Sequence, residues 1–236
     1  MQRYFAVNEK LELCDSDLHH ITNVMRMKKN NKFKIIYDYN EYECVINEII
    51  NKNIKFEVIN KTLLEKDVNP KITLAVCLIK EQKIDYLLQK ATELGVDFII
   101  PMKSERSIIK IDKKNEDKKI NRWGKICKEA SEQSHRNSIP KIKNIIDIKE
   151  IINFKEELNL IFTVNETSTS IKQVLKDNSN CDKLLIVVGP EGGFSNNEEK
   201  LLIDNGFIST SLGNNILRSE TAPLYILSII NYEFMR

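Results

Sequence analysis

The chain has 236 residues, enough for one large domain or two modest ones. Hydrophobic residues make up 42%, which excludes disorder as the default, and the 30% of charged residues nearly cancel to a formal +2. Any nucleic-acid surface must therefore come from local clustering and not from bulk charge. Cys14, Cys44, Cys77, Cys127 and Cys181 are scattered and nowhere spaced as CxxC, so neither a zinc site nor a disulfide framework is expected. The opening MQRYFAVNEK lacks the apolar core of a signal peptide, and no run reaches membrane-span length. A cytoplasmic protein without membrane or metal partners is expected.

In chain order, a helix opened by Asp15 or Ser16 as N-cap is expected through about Val24. Segments 32–37, 42–50 and 54–60 carry β-branched and aromatic residues at strand length. The polar stretch 61–70 ends in Pro70 and reads as a linker. This predicts a small β-barrel domain over residues 1–70 and a second domain over 71–236. The run 72–79 is apolar throughout, as a strand buried on both faces is. Ile84, Leu87, Leu88, Ala91 and Leu94 then follow helical spacing up to Gly95, a fitting C′ residue. A strand at 97–101 and a helix over 116–135 come next, with Ile120, Trp123, Cys127 and Ala130 on one face. Strands at 159–164, 184–188 and 207–212 alternate with helices near 147–156, 171–177, 196–205 and 220–234. Such alternation predicts an α/β domain with a largely parallel sheet. The last helix, with Ala222, Leu224, Tyr225, Ile226, Leu227, Ile229 and Ile230, is apolar almost all round. It is either buried in its own domain or shared with a second copy, and a homodimer contact is the expectation.

Gly189-Pro190-Glu191-Gly192-Gly193 lies directly after a buried strand and before Ser195 and Glu198, which form a capping box. Strand, glycine turn and helix together offer free backbone N–H groups to a ligand; the alternative is a tight βα turn with no ligand. It is neither a GK[ST] P-loop nor GxGxxG, which disfavours a nucleotide-phosphate enzyme. A second loop, Leu212-Gly213-Asn214-Asn215-Ile216-Leu217-Arg218-Ser219-Glu220-Thr221, follows the next strand, and two such loops suggest a binding site. Arg218 and Glu220 alternatively form a helix-end ion pair. Glu129, Glu132, Gln133 and Arg136 share one helix face, either functional or simply solvated.

These motifs, with Arg3-Tyr4-Phe5, Met25-Arg26-Met27 after His20, Lys90–Val96, Ser104-Glu105-Arg106-Ser107 and Glu129–Ser134, run nearly end to end. In that order the chain resembles the ribosomal RNA small subunit methyltransferase E family, which forms N3-methyluridine in 16S rRNA. Glu81-Gln82 stand where the family often has Gly-Asp. The resemblance implies a PUA-like N-terminal barrel, a trefoil-knotted SPOUT α/β domain, S-adenosylmethionine as cofactor, a homodimer, and the small ribosomal subunit as partner. It implies cofactor contacts from Glu166, Gly189, Pro190, Glu191, Gly192, Gly193, Leu212, Gly213, Ile216, Leu217 and Thr221. Arg218 is the expected anion stabiliser with Arg136 second, and Glu220 or Glu132 takes a proton or orients an arginine. RNA contacts are expected from Arg3, His20, Arg26, Arg106 and Gln133. The alternatives are a SPOUT methyltransferase with another RNA target and a non-catalytic ribosome-assembly factor.

Overall fold

Period-two alternation in the first sixty residues and unbroken apolar runs after residue 71 produce two different sheets. The computed structural model describes residues 1–51, 53–65 and 69–234. Packing divides the chain into two units, one of Met1–Asp67 with Ser131–Ser138, the other of Val68–Ala130 with Ile139–Arg236.

In the first unit, β1 (Arg3–Phe5), β2 (Lys32–Tyr37), β3 (Asn40–Ile50) and β4 (Asn53–Leu63) form a sheet in the order β1-β2-β3-β4. β1 runs parallel to β2, and the other pairs are antiparallel. Asp38 and Tyr39 both adopt positive φ, the mirror-image turn that matches strand twist in a two-residue hairpin. β4 extends through Leu63, so part of the expected linker is strand, and its residues 66–68 lie outside the described residues. The N-terminal helix is α1 (Asp15–His19), continued by a π-helical turn, His20–Val24. Its N-cap is Cys14 with no side-chain cap, not Asp15 or Ser16, because the helix begins one residue earlier than expected. Tyr4, Ile21, Phe33, Ile35, Cys44 and Ile46 make the core, with Phe33 edge-on to both Tyr4 and Phe56.

The second unit holds β5 (Lys71–Cys77), α2 (Glu81–Glu93), β6 (Phe98–Lys103), most of α3 (Lys113–Gln133), β7 (Lys141–Ile142) and β8 (Ile146–Asp147). A 3-10 helix (Ile148–Phe154), β9 (Leu158–Phe162), α4 (Ile171–Asp177), β10 (Lys183–Val188), α5 (Asn196–Asp204), β11 (Ile208–Thr210) and α6 (Thr221–Phe234) follow. The sheet order is β11-β9-β10-β5-β6-β7, with β8 also on β6, and every pair is parallel. Successive residues of each strand enter opposite cores. Leu74, Leu160 and Ile186 face one side; Ala75, Ile161 and Val187 face the other. Strands buried on both faces explain the continuous apolar runs.

α6 corrects one expectation. Ala222, Ile226, Leu227, Ile230 and Phe234 are buried in the core of their own unit, and Asn231 donates to the Leu94 carbonyl at the end of α2 at 2.8 Å. Leu227 and Ile230 are therefore not a free dimer face. The outward stripe is Tyr225, Ser228 and Tyr232, the last 78% exposed.

Arg3 also departs from expectation. It is only 5% exposed and so is not an RNA-facing cation. Its guanidinium donates to the carbonyls of His135 and, at 2.9 Å, Arg136, and to Asn137 Oδ1 at 2.8 Å, with Glu41 at 3.4 Å. The cation thus satisfies carbonyls left open after the last turn of α3. Arg3→Ala would strand those acceptors, while Glu41 would keep Lys34 at 2.6 Å. A loss of ~3 kcal/mol is expected in urea unfolding, with faster amide exchange in residues 131–138.

Candidate functional site

Of β5, β6, β9, β10 and β11, only β10 is followed by a helix on the second face of the sheet. Leu202 of α5 packs in the second core, whereas α2, α3, α4 and α6 pack in the first. The loop after β10 therefore turns away from the loops after its neighbours β9 and β5, opening crevices on both sides of it outside the carboxyl ends of the strands. Open α/β sheets bind ligands in such crevices.

The two glycine loops follow β10 and β11, which are not neighbours: β9 lies between them. Its own loop, 163–170, is thereby brought into the same cluster. Ser211 N donates to Thr169 O at 2.8 Å, and Ile171 N to Ser211 O at 3.2 Å. Glu166 belongs to this loop, but its Oε1 accepts from Ser168 N, Ser168 Oγ and Thr169 N at 2.6–2.9 Å. Those bonds, led by the Ser168 side chain, hold its carboxyl down at about 2. Glu166 thus fixes its own turn.

Gly189 is required by packing, since a Cβ there would stand 3.2 Å from the Phe194 ring. Gly213 adopts φ +105°, and nothing lies within 4 Å of where its Cβ would be. Among the described residues, the backbone N–H groups of Glu191, Gly192 and residues 214–218 donate to no protein acceptor. Bare backbone with free donors, between apolar Leu212 and Leu217 and the 189–193 turn, suits a ligand with adenine, ribose hydroxyl and carboxylate acceptors. The residues present fit S-adenosylmethionine.

Three side chains lock this arrangement. Glu198, 2% exposed, accepts from Ser195 N and Glu105 N, each at 2.8 Å, while its own N–H donates to Ser195 Oγ. The expected capping box is present and does more, because the same carboxylate ties the 104–107 loop to the glycine turn. Arg106, expected to touch RNA, donates to the Gly192 carbonyl at 3.0 Å. Lys83, in the first turn of α2, pairs with Glu191 and with Glu220 Oε2 at 3.2 Å. No local signal marks Lys83 in so lysine-rich a sequence; its partners lie more than a hundred residues away.

Glu220 therefore engages Lys83 and Ser219, not Arg218. Burial alone would raise its carboxyl, but hydrogen bonds from its own backbone, Lys83 and Ser219 hold it below the usual carboxylate range. Arg218 is exposed, and its guanidinium has no protein partner among the described residues. Its carbonyl accepts from Thr221 N and Ala222 N, starting α6. Ile216 is solvent-facing beside it.

Glu132, Gln133 and Arg136 belong instead to the first unit. Glu132 Oε1 accepts from Phe5 N at 3.0 Å, and the Arg136 carbonyl accepts from Arg3, so both are engaged in holding β1. His20 Nδ1 shares a 2.9 Å hydrogen bond with the Tyr4 hydroxyl, whereas Arg26 and Gln133 are exposed.

Glu198→Ala would leave two amides without their acceptor. We expect ~2–3 kcal/mol less stability, read as a fall in Tm of ~4–12 °C for a chain this long, together with weaker ligand binding at the loosened turn. An unchanged melting curve would remove Glu198 from this role.

Comparison with known proteins agrees with the geometry. The family model for the RNA methyltransferase domain matches residues 66–231, and that for the RNA methyltransferase PUA domain matches residues 13–59. Ribosomal RNA small subunit methyltransferase E of Bacillus subtilis is 33% identical, over 99% of this chain and 97% of that one. A methyltransferase of Legionella pneumophila, solved with bound SAM, superposes with a TM-score of 0.91 at 30% identity, over 98% and 97% of the two chains. Ribosomal RNA small subunit methyltransferase E of Neisseria gonorrhoeae, solved with S-adenosyl methionine, gives 0.86 at 27% identity, over the same shares. The chain belongs to the ribosomal RNA small subunit methyltransferase E family, an RNA methyltransferase domain joined to a PUA domain.

Proposed function

We propose that this protein methylates N3 of a uridine in 16S rRNA of the small ribosomal subunit, using S-adenosylmethionine held by the loops after β9, β10 and β11. The observation that carries the reading is the unpaired Arg218 guanidinium beside a cradle of free backbone amides. Bound S-adenosylmethionine supplies a methyl group on a sulfonium sulfur, which becomes a neutral thioether when the methyl leaves.

Uracil N3 carries a proton and is a poor nucleophile until that proton is lost. The resulting negative charge spreads over N3 and the two flanking carbonyl oxygens. A planar guanidinium can meet N3 and one oxygen together, and its charge favours the anion. Glu220, held ionised by Lys83, is a weak proton acceptor, so it positions Lys83 and the proton goes to water. This reading includes the SPOUT knot in the C-terminal path and a cytoplasmic location, where ribosomes assemble.

The test is Arg218→Lys, which keeps the charge and loses the planar fork. Single-turnover methylation should fall about a hundredfold, with cofactor affinity and Tm nearly unchanged. A fully active variant would leave Arg218 as scaffolding. Mapping N3-methyluridine in rRNA from cells with and without the gene decides the site. A mark elsewhere would mean another RNA target, and subunit binding without transfer a non-catalytic assembly factor.

We further infer a homodimer through the Tyr225–Tyr232 stripe, since paired tyrosines on an outward helix face are typical of protein interfaces. Sedimentation should give a dimer at micromolar concentration. A stable monomer would overturn this.

A further inference from the structure

Two short helical elements pack in the second core, the seven-residue 3-10 helix and the nine-residue α5. Between the end of the 3-10 helix and the amino ends of β5 and β6 lies a cavity of about 270 Å³. Thr73, on its wall, stands four residues before the carboxyl end of β5, about 13 Å at ~3.3 Å per residue. The cavity is thus set apart from the cofactor loops. We propose that it holds one unstacked nucleotide of the RNA substrate, an anchor distinct from the methylated residue; the proposal rests on the methyltransferase reading.

Thr73 is the unusual residue. It is only 6% exposed, and strand alternation turns it to the same face as Ala75 and Cys77. Its hydroxyl makes no hydrogen bond among the described residues. Valine would fill the same space without the cost of a buried, unpaired hydroxyl, so the oxygen points to a polar atom of a ligand. Water would satisfy the hydroxyl but would gain nothing from the aromatic walls, Phe98 and Phe154, with Ile100 beside them.

Two exposed cations line the same cavity. Lys143 Nζ lies 5.3 Å from the centre of the Phe98 ring, and neither it nor Lys155 makes an ion pair among the described residues. Glu156 is the acidic lining residue, also without an ion pair. Aromatic rings for a base and lysines for its phosphate are the combination that binds single-stranded RNA. The volume lies just below the roughly 300–1,000 Å³ of drug-sized ligands, which suits one base with its sugar and excludes a duplex. The Glu156 carboxylate favours a base edge rich in N–H donors. Guanine presents two kinds side by side, at N1 and at its amino group, whereas uracil presents one. The lysines disfavour S-adenosylmethionine, whose sulfonium is a cation and which has no phosphate.

The experiment uses full-length protein with isotope-labelled threonine and isoleucine methyl groups, and GMP as the probe. GMP should shift the Thr73 and Ile100 methyl resonances, and UMP should bind about tenfold more weakly. Thr73→Val, which keeps the shape and loses the hydroxyl, should weaken GMP binding about fivefold. In methylation of small subunits from cells lacking the modification, GMP should compete with subunits and not with S-adenosylmethionine. Lys143→Ala combined with Lys155→Ala should raise KM for subunits about tenfold, with kcat and calorimetric cofactor affinity within about twofold of wild type. No shift at either methyl overturns the proposal, as does a Thr73→Val variant that binds GMP as tightly as wild type. So does GMP that shifts both methyls yet leaves methylation untouched, because the cavity would then serve a free nucleotide. Unchanged KM in the double variant overturns it as well. Failure of the methyltransferase reading looks different: in equilibrium dialysis subunits would displace GMP from the cavity, and yet accept no methyl group.

Discussion

One ammonium group, Nζ of Lys83, lies between carboxylates from two separate loops, Glu191 beyond β10 and Glu220 at the start of α6. Two carboxylates reaching for one nitrogen would repel each other without it, and the loops that carry them would splay. Within the loops the glycine backbone makes few bonds, Gly193 N to the Pro190 carbonyl and Gly213 N to Ser211 Oγ, so each loop has little local structure to hold it. The clamp comes from outside, from the first turn of a helix fixed by its apolar face on the sheet. Order at the site is therefore borrowed from α2. The acidic residues that look most like proton-transfer groups in the sequence are occupied in keeping the loops in place.

The second organising fact is topological. A sheet whose strands all send their helices to one face has no crevice between successive loops, whereas one reversal makes two. β10 supplies that reversal, and Phe194 and Leu202 anchor it by entering the second core directly after the glycine turn. The close approach of the Phe194 ring to Gly189 shows how tightly the chain must turn. Glu198 then serves both sides of the turn with one buried carboxylate, joining the loop after β6 to the loop after β10. Motifs far apart in the sequence, Ser104–Ser107 and Gly189–Ser195, thus form one piece of structure.

Much of this was legible in the sequence. Buried parallel strands declare themselves as unbroken apolar runs, and α2, α4 and α5 fall where their spacing and caps put them. β7 and β8 were missed because two-residue strands carry no period. The apolar last helix was readable as buried but not as buried by what; only packing shows Asn231 closing α2 and Leu227 in the core of its own unit. Arg3 was read as a surface cation because an arginine beside aromatics looks the same whether it faces RNA or the open carbonyls after α3. Lys83 had no local signature at all. Pairing across a hundred residues is a property of the fold, and one sequence does not print it.

The first unit also has an arithmetic of its own. It is built from Met1–Asp67 and Ser131–Ser138, so its sheet is synthesised well before the residues that complete it. While the ribosome adds the intervening stretch, roughly 3–13 s at about 5–20 residues per second, the guanidinium of Arg3 has none of its carbonyl partners. During that interval β1 lacks Glu132 and the 135–137 segment that hold it in the finished unit. A protein that finishes its own first domain only after more than half of the chain has been made is exposed, at that stage, to whatever else binds an arginine that has Glu41 but none of its carbonyl partners.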